Sequence, residues 1–458
     1  MPRGTESRPT VQNGDHAIQD LTVLATGGAG KRPARADMIS TDKIDNDDLR
    51  LPAIRLFAPG MTDALKSATE LVRIAVVTHY FSTHRGGVEK VAGELAVRLA
   101  KTGRYSLTWV ASDASPVPAP ATALQFESVR AYNILEQRGF PWPVWPMQSI
   151  KRLRFAIAGA DIVHLHDFIY FGNLAAFVIA RNCGKPIVIT QHIGDIPYKN
   201  RLLRFAIWLI NRTIGRIVLG NADRVAFISE AVRKQFSGFV EFRRPPVHLP
   251  NGVDTGIFFP VDALARKAIR SGLGIDRGQK VVLYVGRFVD KKGLPVLRKL
   301  AAAMPDVHWW FAGWGSLESA AHPATWRLTN VRLFSGRSGS TLAELYRAAD
   351  LLLLPSMSEG FPLVVQEAMA CGTRALVTTA IADGAPEAGK LLLTCPIDPP
   401  ETTQSAWRSA ISSALCSDDE ELRARLVEFA RAHWAWDHAV ASYCELFDDL
   451  LKKDSAPA

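Results

Sequence analysis

Cysteine is scarce in this 458-residue sequence, and its positions favour neither a disulfide framework nor a zinc site. The cysteines are scattered along the chain, and no two of them form a Cys-x-x-Cys pair. They are Cys183, Cys371, Cys395, Cys416 and Cys444. An odd number of widely separated cysteines is typical of a protein in a reducing compartment, so we expect a cytoplasmic location.

Long apolar runs are also absent. No stretch approaches the roughly 18 consecutive apolar residues of a membrane-spanning helix. The N-terminus lacks the basic region followed by an apolar segment that marks a secretory signal. Hydrophobic residues nevertheless make up 48% of the chain and charged residues 22%, which is a balance typical of large buried cores. At this length we expect two domains rather than one.

Two cofactor signatures are missing as well. The first strand-like segment, "VRIAVVTHYF" (72–81), is not followed by Gly-x-Gly-x-x-Gly, which disfavours a dinucleotide-dependent dehydrogenase. No Asp-x-Asp pair occurs in a loop after a predicted strand, where it would hold a divalent metal ion. We therefore expect neither a metal site nor a cofactor.

Residues 1–70 differ in composition from the rest of the chain. They are polar, rich in glycine and proline, and poor in aromatic residues. Such a segment buries too little apolar surface to offset its conformational entropy. We therefore predict a largely disordered N-terminal arm.

From residue 71 onward, short apolar segments alternate with helical patterns in two series. The first series runs over 71–245, and the second over 246–428, after the proline-rich linker "RRPPVHLPNGVD" (243–254). Near-continuous apolar strands between helices indicate parallel sheets that are covered on both faces. The fold class is therefore α/β, with two doubly wound, Rossmann-like domains. Ligands bind such sheets at the carboxyl ends of the strands, so the cleft between the domains is the expected site.

The segment "SMSEGFPLVVQEAMACG" (356–372) carries the clearest chemical signal. It follows the strand-like "LLLLPS" and predicts a turn at Glu359 and then a helix that contains Glu367 and stops at Gly372. Backbone amides at the start of such a helix favour phosphate binding. Two carboxylates beside that position suit the hydroxyl pairs of a sugar and a ribose.

This segment resembles the E-x7-E motif of retaining GT-B glycosyltransferases of family 4, and the resemblance extends over about 72–450. It implies that Glu359 contacts the donor sugar and that Glu367 binds the ribose of a nucleotide-sugar. It also implies an acceptor-side first domain, a donor-binding second domain, and a last helix (429–452) that crosses back to the first domain. The residues implied to line the donor site are Gly360, Phe361, Leu363 and Val364.

Two cations in "YVGRFVDKKGLPVL" (284–297) support the same interpretation, a site for a nucleotide-sugar. Arg287 ends a predicted strand, and Lys292 lies in the loop before the next helix. Positive charge at this position neutralises a diphosphate leaving group. The resemblance implies this catalytic role for both residues.

Two features of the first half complete the predicted site. Gly86 and Gly87 lie where the first strand gives way to its helix, and paired glycines let a backbone approach a ligand closely. The resemblance places this glycine loop against the donor phosphate, and it places His192, in "VITQHIGD", beside the reacting sugar carbon. Asp195 is a weaker candidate for contact with acceptor or sugar. His164 and His166 alternate along one strand and are interpreted as packing residues.

Most of the chain's net charge of +9 is concentrated between Lys199 and Arg244, where ten basic residues face three acidic ones. On one continuous helix, Arg201, Arg204, Arg212 and Arg216 would share a face with Phe205 and Trp208. Arginines interleaved with aromatic residues suit an anionic membrane surface. Nucleic acid is not expected, because the sequence contains no recognised binding module.

The resemblance therefore implies a retaining hexosyltransferase that moves a sugar from a nucleotide-diphospho-sugar to an envelope polysaccharide or a lipid-linked acceptor. Two alternatives stay open, namely a sugar-nucleotide epimerase on the same fold and an inactive scaffold that binds sugar nucleotides. The segment "TTAIADGAPEAGKLLLTCPID" (378–398) departs from the family pattern, which leaves the role of Glu387 and the identity of the donor undecided.

Overall fold

The computed structural model describes residues 71–454 except 85, 134–141, 196–199, 358–359, 398–399 and 417–418. The predicted N-terminal arm and Glu359 both lie outside the described residues. Within the described part of the chain, no helix is long and apolar enough to span a membrane.

In the described part of the first half, seven parallel strands form one sheet in the order β3-β2-β1-β4-β5-β6-β7. The strands are β1 Val72–Val77, β2 Tyr105–Ser112, β3 Leu124–Val129, β4 Ile162–His166, β5 Ile187–Gln191, β6 Arg224–Phe227 and β7 Val247–His248. The central strand β1 is apolar on both faces because Ile74 and Val76 enter one core while Ala75 and Val77 enter another.

Helices cover both faces of this sheet. They are α1 Gly87–Lys101, α2 Met147–Ala158, α3 Phe171–Asn182, α4 Arg201–Ile210, α5 Arg216–Asn221 and α6 Glu230–Ser237. A π-helical turn at Asn211–Gly215 joins α4 to α5. Asn200 caps α4, because its side chain accepts hydrogen bonds from the amides of Leu202 and Leu203.

The second half has the same architecture, with six parallel strands among its described residues in the order β10-β9-β8-β11-β12-β13. The strands are β8 Lys280–Arg287, β9 Val307–Trp314, β10 Val331–Phe334, β11 Leu351–Leu354, β12 Arg374–Thr378 and β13 Leu392–Cys395. The helices that follow the linker are α7 Ala263–Gly272, α8 Leu294–Ala303, α9 Gly339–Ala348, α10 Leu363–Ala370, α11 Thr379–Ala382, α12 Pro400–Cys416, α13 Glu420–Trp434 and α14 Trp436–Asp454. The two sheets confirm the predicted fold class.

The strand order reverses at the same place in each sheet. In the first sheet β1 lies between β2 and β4, and in the second sheet β8 lies between β9 and β11. Successive connections leave the sheet on opposite sides at such a point, which opens a crevice at the carboxyl ends of the strands. The glycine turn after β1 and the arginine at the end of β8 both lie at these crevices.

The end of the chain differs from the single last helix expected from the sequence. One helix ends at Trp434 and the next begins at Trp436, because Ala435 leaves the helical conformation and pairs with Val253 of the linker. The amide of Val253 donates to the Trp434 carbonyl at 2.6 Å. The last helix then packs against the core of the first half through Tyr443 and Phe447.

Candidate active site

A cavity of about 1460 Å³ lies between the carboxyl ends of the two sheets, and both halves of the chain line it. Ten of the residues that the sequence assigns to the site line this cavity. They are Gly86, Gly87, His192, Arg287, Lys292, Gly360, Phe361, Leu363, Val364 and Glu367. The structure therefore brings together segments that are up to 281 positions apart in the chain.

The loop after β8 is fastened to the loop after β11. The Tyr284 hydroxyl donates to the Arg287 carbonyl at 2.8 Å, and the amide of Met357 donates to the Lys291 carbonyl at 3.1 Å. Gly293 has a φ of +82°, and a Cβ there would lie 2.1 Å from the Pro355 carbonyl oxygen. Only glycine permits this approach. These contacts hold the basic loop beside the turn that leads into α10.

Arg287 projects from the end of β8 into the cavity. It is exposed, and among the described residues no carboxylate lies within ion-pairing distance of its guanidinium. Lys292 lines the same region. A guanidinium without an anionic protein partner retains its full electrostatic attraction for an anionic ligand.

The start of α10 presents backbone amides to the same space. The preceding residue, Pro362, provides no side-chain cap for the amides of the first turn. These amides therefore retain their capacity to donate to an anion at the positive end of the helix dipole. The buried ring of Phe361 packs against that of Trp434, with ring centroids 5.2 Å apart. This contact fixes where the chain enters the helix.

Glu367 lies one turn further along α10 and is only 4% exposed. The hydroxyl of Tyr346 donates to its Oε2 at 2.8 Å, and Nζ of Lys90 donates to its Oε1 at 3.1 Å. Burial and the neighbouring Glu367 carboxylate raise the pKa of Tyr346 well above its usual value. The phenol therefore stays protonated and keeps Glu367 in one orientation.

His192 lines the cavity and belongs to a buried row of histidines. Its backbone amide donates to Oδ1 of Asp167 at 2.7 Å, and its Nε2 lies 3.0 Å from Nδ1 of His166. His164, two residues earlier, lies 2.8 Å from the hydroxyl of Thr190. Burial lowers the pKa of both His192 and His164 to about 3. These rings are neutral at physiological pH, so His192 offers hydrogen bonding rather than positive charge.

The glycine turn after β1 contains a pair that the sequence analysis missed. Nε2 of His79 lies 2.9 Å from Oε1 of Glu89, and the His79 ring stacks on Tyr170 with centroids 3.5 Å apart. Burial raises the pKa of Glu89, but the hydrogen bond and charge of His79 outweigh it, and the net pKa is lowered. A Cβ on Gly86 would lie 1.9 Å from this carboxylate. The first glycine is therefore required by close packing.

The two halves are in direct contact around the cavity. The amide of Glu230 donates to the Gly384 carbonyl at 2.9 Å. A Cβ on Gly360 would lie 2.7 Å from the His192 carbonyl oxygen. Together with the Lys90–Glu367 ion pair, these contacts join the two halves across the cleft.

A π-helical turn at Asn211–Gly215 interrupts the basic region. The guanidinium of Arg212, at the start of this turn, still lies 4.5 Å from the ring centroid of Trp208, as the predicted shared face requires. Five of the ten basic residues form ion pairs with Asp195, Asp223, Glu230 or Asp449. They are Arg212, Arg224, Arg233, Arg243 and Arg244. Arg201, Arg204, Phe205 and Trp208 instead line the cavity.

Two weaker candidates are placed differently. Asp195 lines the cavity, where its carboxylate accepts a hydrogen bond from Nδ2 of Asn211 at 2.6 Å. Glu387 is not among the residues that line the cavity, and its carboxylate accepts a hydrogen bond from the indole of Trp434 at 3.2 Å. We therefore assign Glu387 a structural contact with Trp434 rather than a role in the cavity.

Two facing doubly wound domains with a cleft between the carboxyl ends of their sheets are the architecture of the GT-B class of glycosyltransferases. Solved structures share this fold. They include sucrose-phosphate synthase from Thermosynechococcus elongatus, with a TM-score of 0.68 and 19% identity over 83% of this chain and 100% of that one. HepE of Anabaena in complex with UDP-glucose has a TM-score of 0.63 and 15% identity over 82% and 99% of the two chains.

The family models are more specific than the fold. Residues 85–256 match the model described as Glycosyltransferase Family 4, and residues 265–433 match Glycosyl transferases group 1. The chain is 32% identical to D-inositol 3-phosphate glycosyltransferase of Mycolicibacterium smegmatis over 65% of this chain and 70% of the relative. It is 30% identical to the enzyme of the same name from Acidothermus cellulolyticus, over 64% and 67% of the two chains.

The chain belongs to the group 1, family 4 glycosyltransferases and is a glycosyltransferase of enzyme class EC 2.4. This confirms the family and the enzyme class predicted from the sequence.

Proposed function

We propose that the protein transfers a hexose, with retention of anomeric configuration, from a nucleotide-diphospho-sugar to a lipid-linked acceptor of an envelope polysaccharide. The observation that carries this proposal is the placement of Arg287, the start of α10 and Glu367 around one cavity. The first two supply positive potential for a diphosphate, and the third supplies a carboxylate for ribose hydroxyls.

The leaving group receives most of the catalytic assistance. As the bond between the anomeric carbon and the diphosphate oxygen breaks, negative charge grows on that oxygen, and Arg287 and Lys292 stabilise it. The acceptor hydroxyl forms the new bond on the same face of the sugar, and its proton passes to the departing diphosphate. These two cations occupy the role that a divalent metal ion fills elsewhere, so the proposed reaction needs no metal ion.

A neutral His192 is consistent with this mechanism, in which the departing diphosphate accepts the proton of the acceptor hydroxyl. With its pKa lowered to about 3 by burial, its imidazole is too weak a base to remove the acceptor proton. We assign His192 to orienting the sugar beside the reacting carbon. Glu359 retains its proposed role as the donor-sugar contact.

A nucleoside diphosphate donor has additional support from the far wall of the second half. The exposed indole of Trp314 and the guanidinium of Arg337 line the cavity at the ends of β9 and β10. Planar groups of this kind suit stacking on a nucleobase. Because solved structures with this fold carry UDP and UDP-glucose, UDP-sugars are the first donors to test.

The acceptor side of the cavity is basic and amphipathic. Arg201 and Arg204 lack an ion-pair partner among the described residues, and the rings of Phe205 and Trp208 stack with centroids 5.6 Å apart. On the outer face of the same helix, Leu202 is 81% exposed. An anionic amphiphile would pair its charge with the arginines and pack its apolar part against the aromatic and aliphatic side chains. This supports a lipid-linked acceptor and contact with the anionic cytoplasmic face of a membrane.

A donor panel tests the proposal. The purified protein is incubated with UDP-, GDP- and ADP-sugars and a lipid-linked glycan acceptor, with and without EDTA, and nucleoside diphosphate release is measured. We expect one donor to be consumed equally in both conditions and to give a product whose anomeric proton coupling matches that of the donor. Inversion of configuration, epimerised donor without transfer, or binding without turnover would each contradict the proposal.

A further inference from the structure

Lys90 connects the two halves of the molecule at the donor site. It lies in the first turn of α1, immediately after the glycine turn, and its Nζ lies 3.1 Å from Oε1 of Glu367 in the opposite half. The two residues are 277 positions apart in the chain. No motif in the sequence pairs them, and the sequence analysis did not identify Lys90.

Both oxygens of the Glu367 carboxylate are engaged in this arrangement. Oε2 accepts the Tyr346 hydroxyl and Oε1 accepts Lys90, while the residue is almost fully buried. A carboxylate oxygen can accept a second hydrogen bond, but with Lys90 in place only 5% of the Glu367 side chain is exposed, so ribose hydroxyls have little access to it. We therefore expect donor binding to displace Lys90 from Oε1.

Lys90 can move without disturbing its helix. Its side chain is 53% exposed and lines the cavity. The helix is anchored two turns further along, where Arg98 donates to Asp254 at 2.7 Å and lies over the ring of Trp436. The adjacent carboxylate of Glu89 is engaged by His79, so it does not attract the displaced ammonium group.

We propose that Lys90 is a donor-binding residue that exchanges one anionic partner for another. In this structure it pairs with Glu367, and in the donor complex the ribose binds Glu367 while the ammonium group pairs with the diphosphate. The inference rests on the proposed function, because it requires a nucleoside diphosphate in this cavity. The exchange makes the diphosphate necessary for efficient ribose binding.

The exchange predicts opposite effects on two ligands. A nucleoside without phosphates must break the Lys90–Glu367 pair and gains no replacement for it. A nucleoside diphosphate breaks the same pair and regains a charge-assisted contact at its phosphates. Removing the ammonium group therefore favours the nucleoside and disfavours the nucleoside diphosphate.

Calorimetric titration of the full chain measures this difference. UDP, GDP and ADP are screened with the wild type, and the nucleoside diphosphate that binds is compared with its own nucleoside. For Lys90→Met we expect the ratio of nucleoside Kd to nucleoside diphosphate Kd to fall about tenfold, the scale of one charge-assisted hydrogen bond. The salt dependence of nucleoside diphosphate binding should also weaken.

Two further variants make the result specific. Lys90→Arg keeps the charge and should restore much of the ratio, while Lys101→Met removes an exposed lysine from the far end of the same helix and should leave it unchanged. Equal weakening of both ligands by Lys90→Met would show a structural role and overturn the exchange. Absence of any nucleotide binding by the wild type would instead overturn the proposed function itself.

Discussion

Nδ1 of His166 lies 3.0 Å from Nε2 of His192, and both rings are buried. One nitrogen must donate and the other must accept, so at least one ring in the pair is in a defined neutral tautomer. Burial lowers the pKa of His166 well below its usual value and that of His192 to about 3. Protonating either ring would place a positive charge in an apolar interior.

The buried histidines predict a loss of stability in mild acid. In the unfolded chain they take up protons near pH 6.5, whereas the folded protein resists protonation until about pH 3. The unfolded state therefore binds more protons in this window, and the free energy of unfolding falls as the pH drops from 6.5 towards 3. Asp167 opposes this trend, because burial raises its pKa to about 7 and the folded protein binds that proton first.

On unfolding, the three histidines together take up more protons than Asp167 releases. The free energy of unfolding therefore falls by roughly 1 to 3 kcal/mol per pH unit as the pH drops from 6 to 4. Urea unfolding at several pH values measures it. His164→Gln should reduce the slope, whereas His438→Gln, at an exposed position on α14, should leave it unchanged. Equal stability at pH 7 and pH 5 would contradict the neutral assignment.

Replacement of Arg287 by alanine should abolish most of the turnover. We expect kcat to fall about 10² to 10³-fold, since one preorganised cationic group opposite developing charge contributes on that scale. Steady-state kinetics with the accepted donor measures the loss. Arg298→Ala removes an exposed arginine from α8 and serves as the matched control. Unchanged turnover in Arg287→Ala would remove the leaving-group role.

Tyr346→Phe should weaken donor binding, because the hydroxyl that orients Glu367 is lost. A buried carboxylate that loses one hydrogen-bond donor costs about 1 kcal/mol or more, which corresponds to an increase in donor Kd of roughly 3 to 10-fold. Tyr443→Phe loses a comparable hydroxyl contact, 2.8 Å from Thr190, in the other half of the molecule. It should lower thermal stability similarly and leave donor Kd unchanged, as titration calorimetry can show.

Gly360→Ala should reduce activity while the protein stays folded. Its new Cβ would lie 2.7 Å from the His192 carbonyl oxygen, and a backbone oxygen has little room to retreat. The two halves must then separate slightly, and misplacement on the ångström scale costs about 10²-fold in kcat/KM. At Gly272, by contrast, a Cβ meets no atom within 4 Å. Similar activity of Gly360→Ala and Gly272→Ala would contradict tight closure at this point.

The exposed helix face around Leu202 predicts attachment to anionic membranes. Leu202→Gln with Ile217→Gln removes two strongly exposed apolar side chains from α4 and α5. We expect the affinity of the double variant for vesicles that contain phosphatidylglycerol to fall about a hundredfold or more in sedimentation assays, since each buried leucine or isoleucine contributes about 1.5 to 3 kcal/mol. Leu264→Gln with Leu317→Gln, at exposed positions in the second half, provides the control. Sedimentation that ignores the α4 and α5 changes would refute a membrane surface here.

Features with a local signature could be predicted from the sequence. The apolar strands and the turn before α10 follow from hydrophobic periodicity and from where proline and glycine occur. Arg287 and Lys292 could be identified because they end a strand and begin a helix in a recognisable motif. The membership of the chain in its family is confirmed by matches to both halves.

Features that depend on contacts between distant segments or on irregular helix geometry escaped prediction. The helix break at Ala435 arises because this residue pairs with Val253, which lies 182 positions earlier. The π-helical turn at Asn211–Gly215 interrupts the helix between Ile210 and Arg216. Neither segment contains a proline or a charge pattern from which the irregularity could be predicted.

The sequence by itself determined two parallel α/β domains and the helix start that we propose as a half-site for a diphosphate, because strand periodicity and a helix start depend on neighbours within a few residues. Tertiary structure alone decided that Lys90 meets Glu367 and that His192 is neutral. An ion pair across a cleft depends on how two domains close, and a depressed pKa depends on how much water the surrounding chain excludes. Both quantities arise only when distant segments pack together.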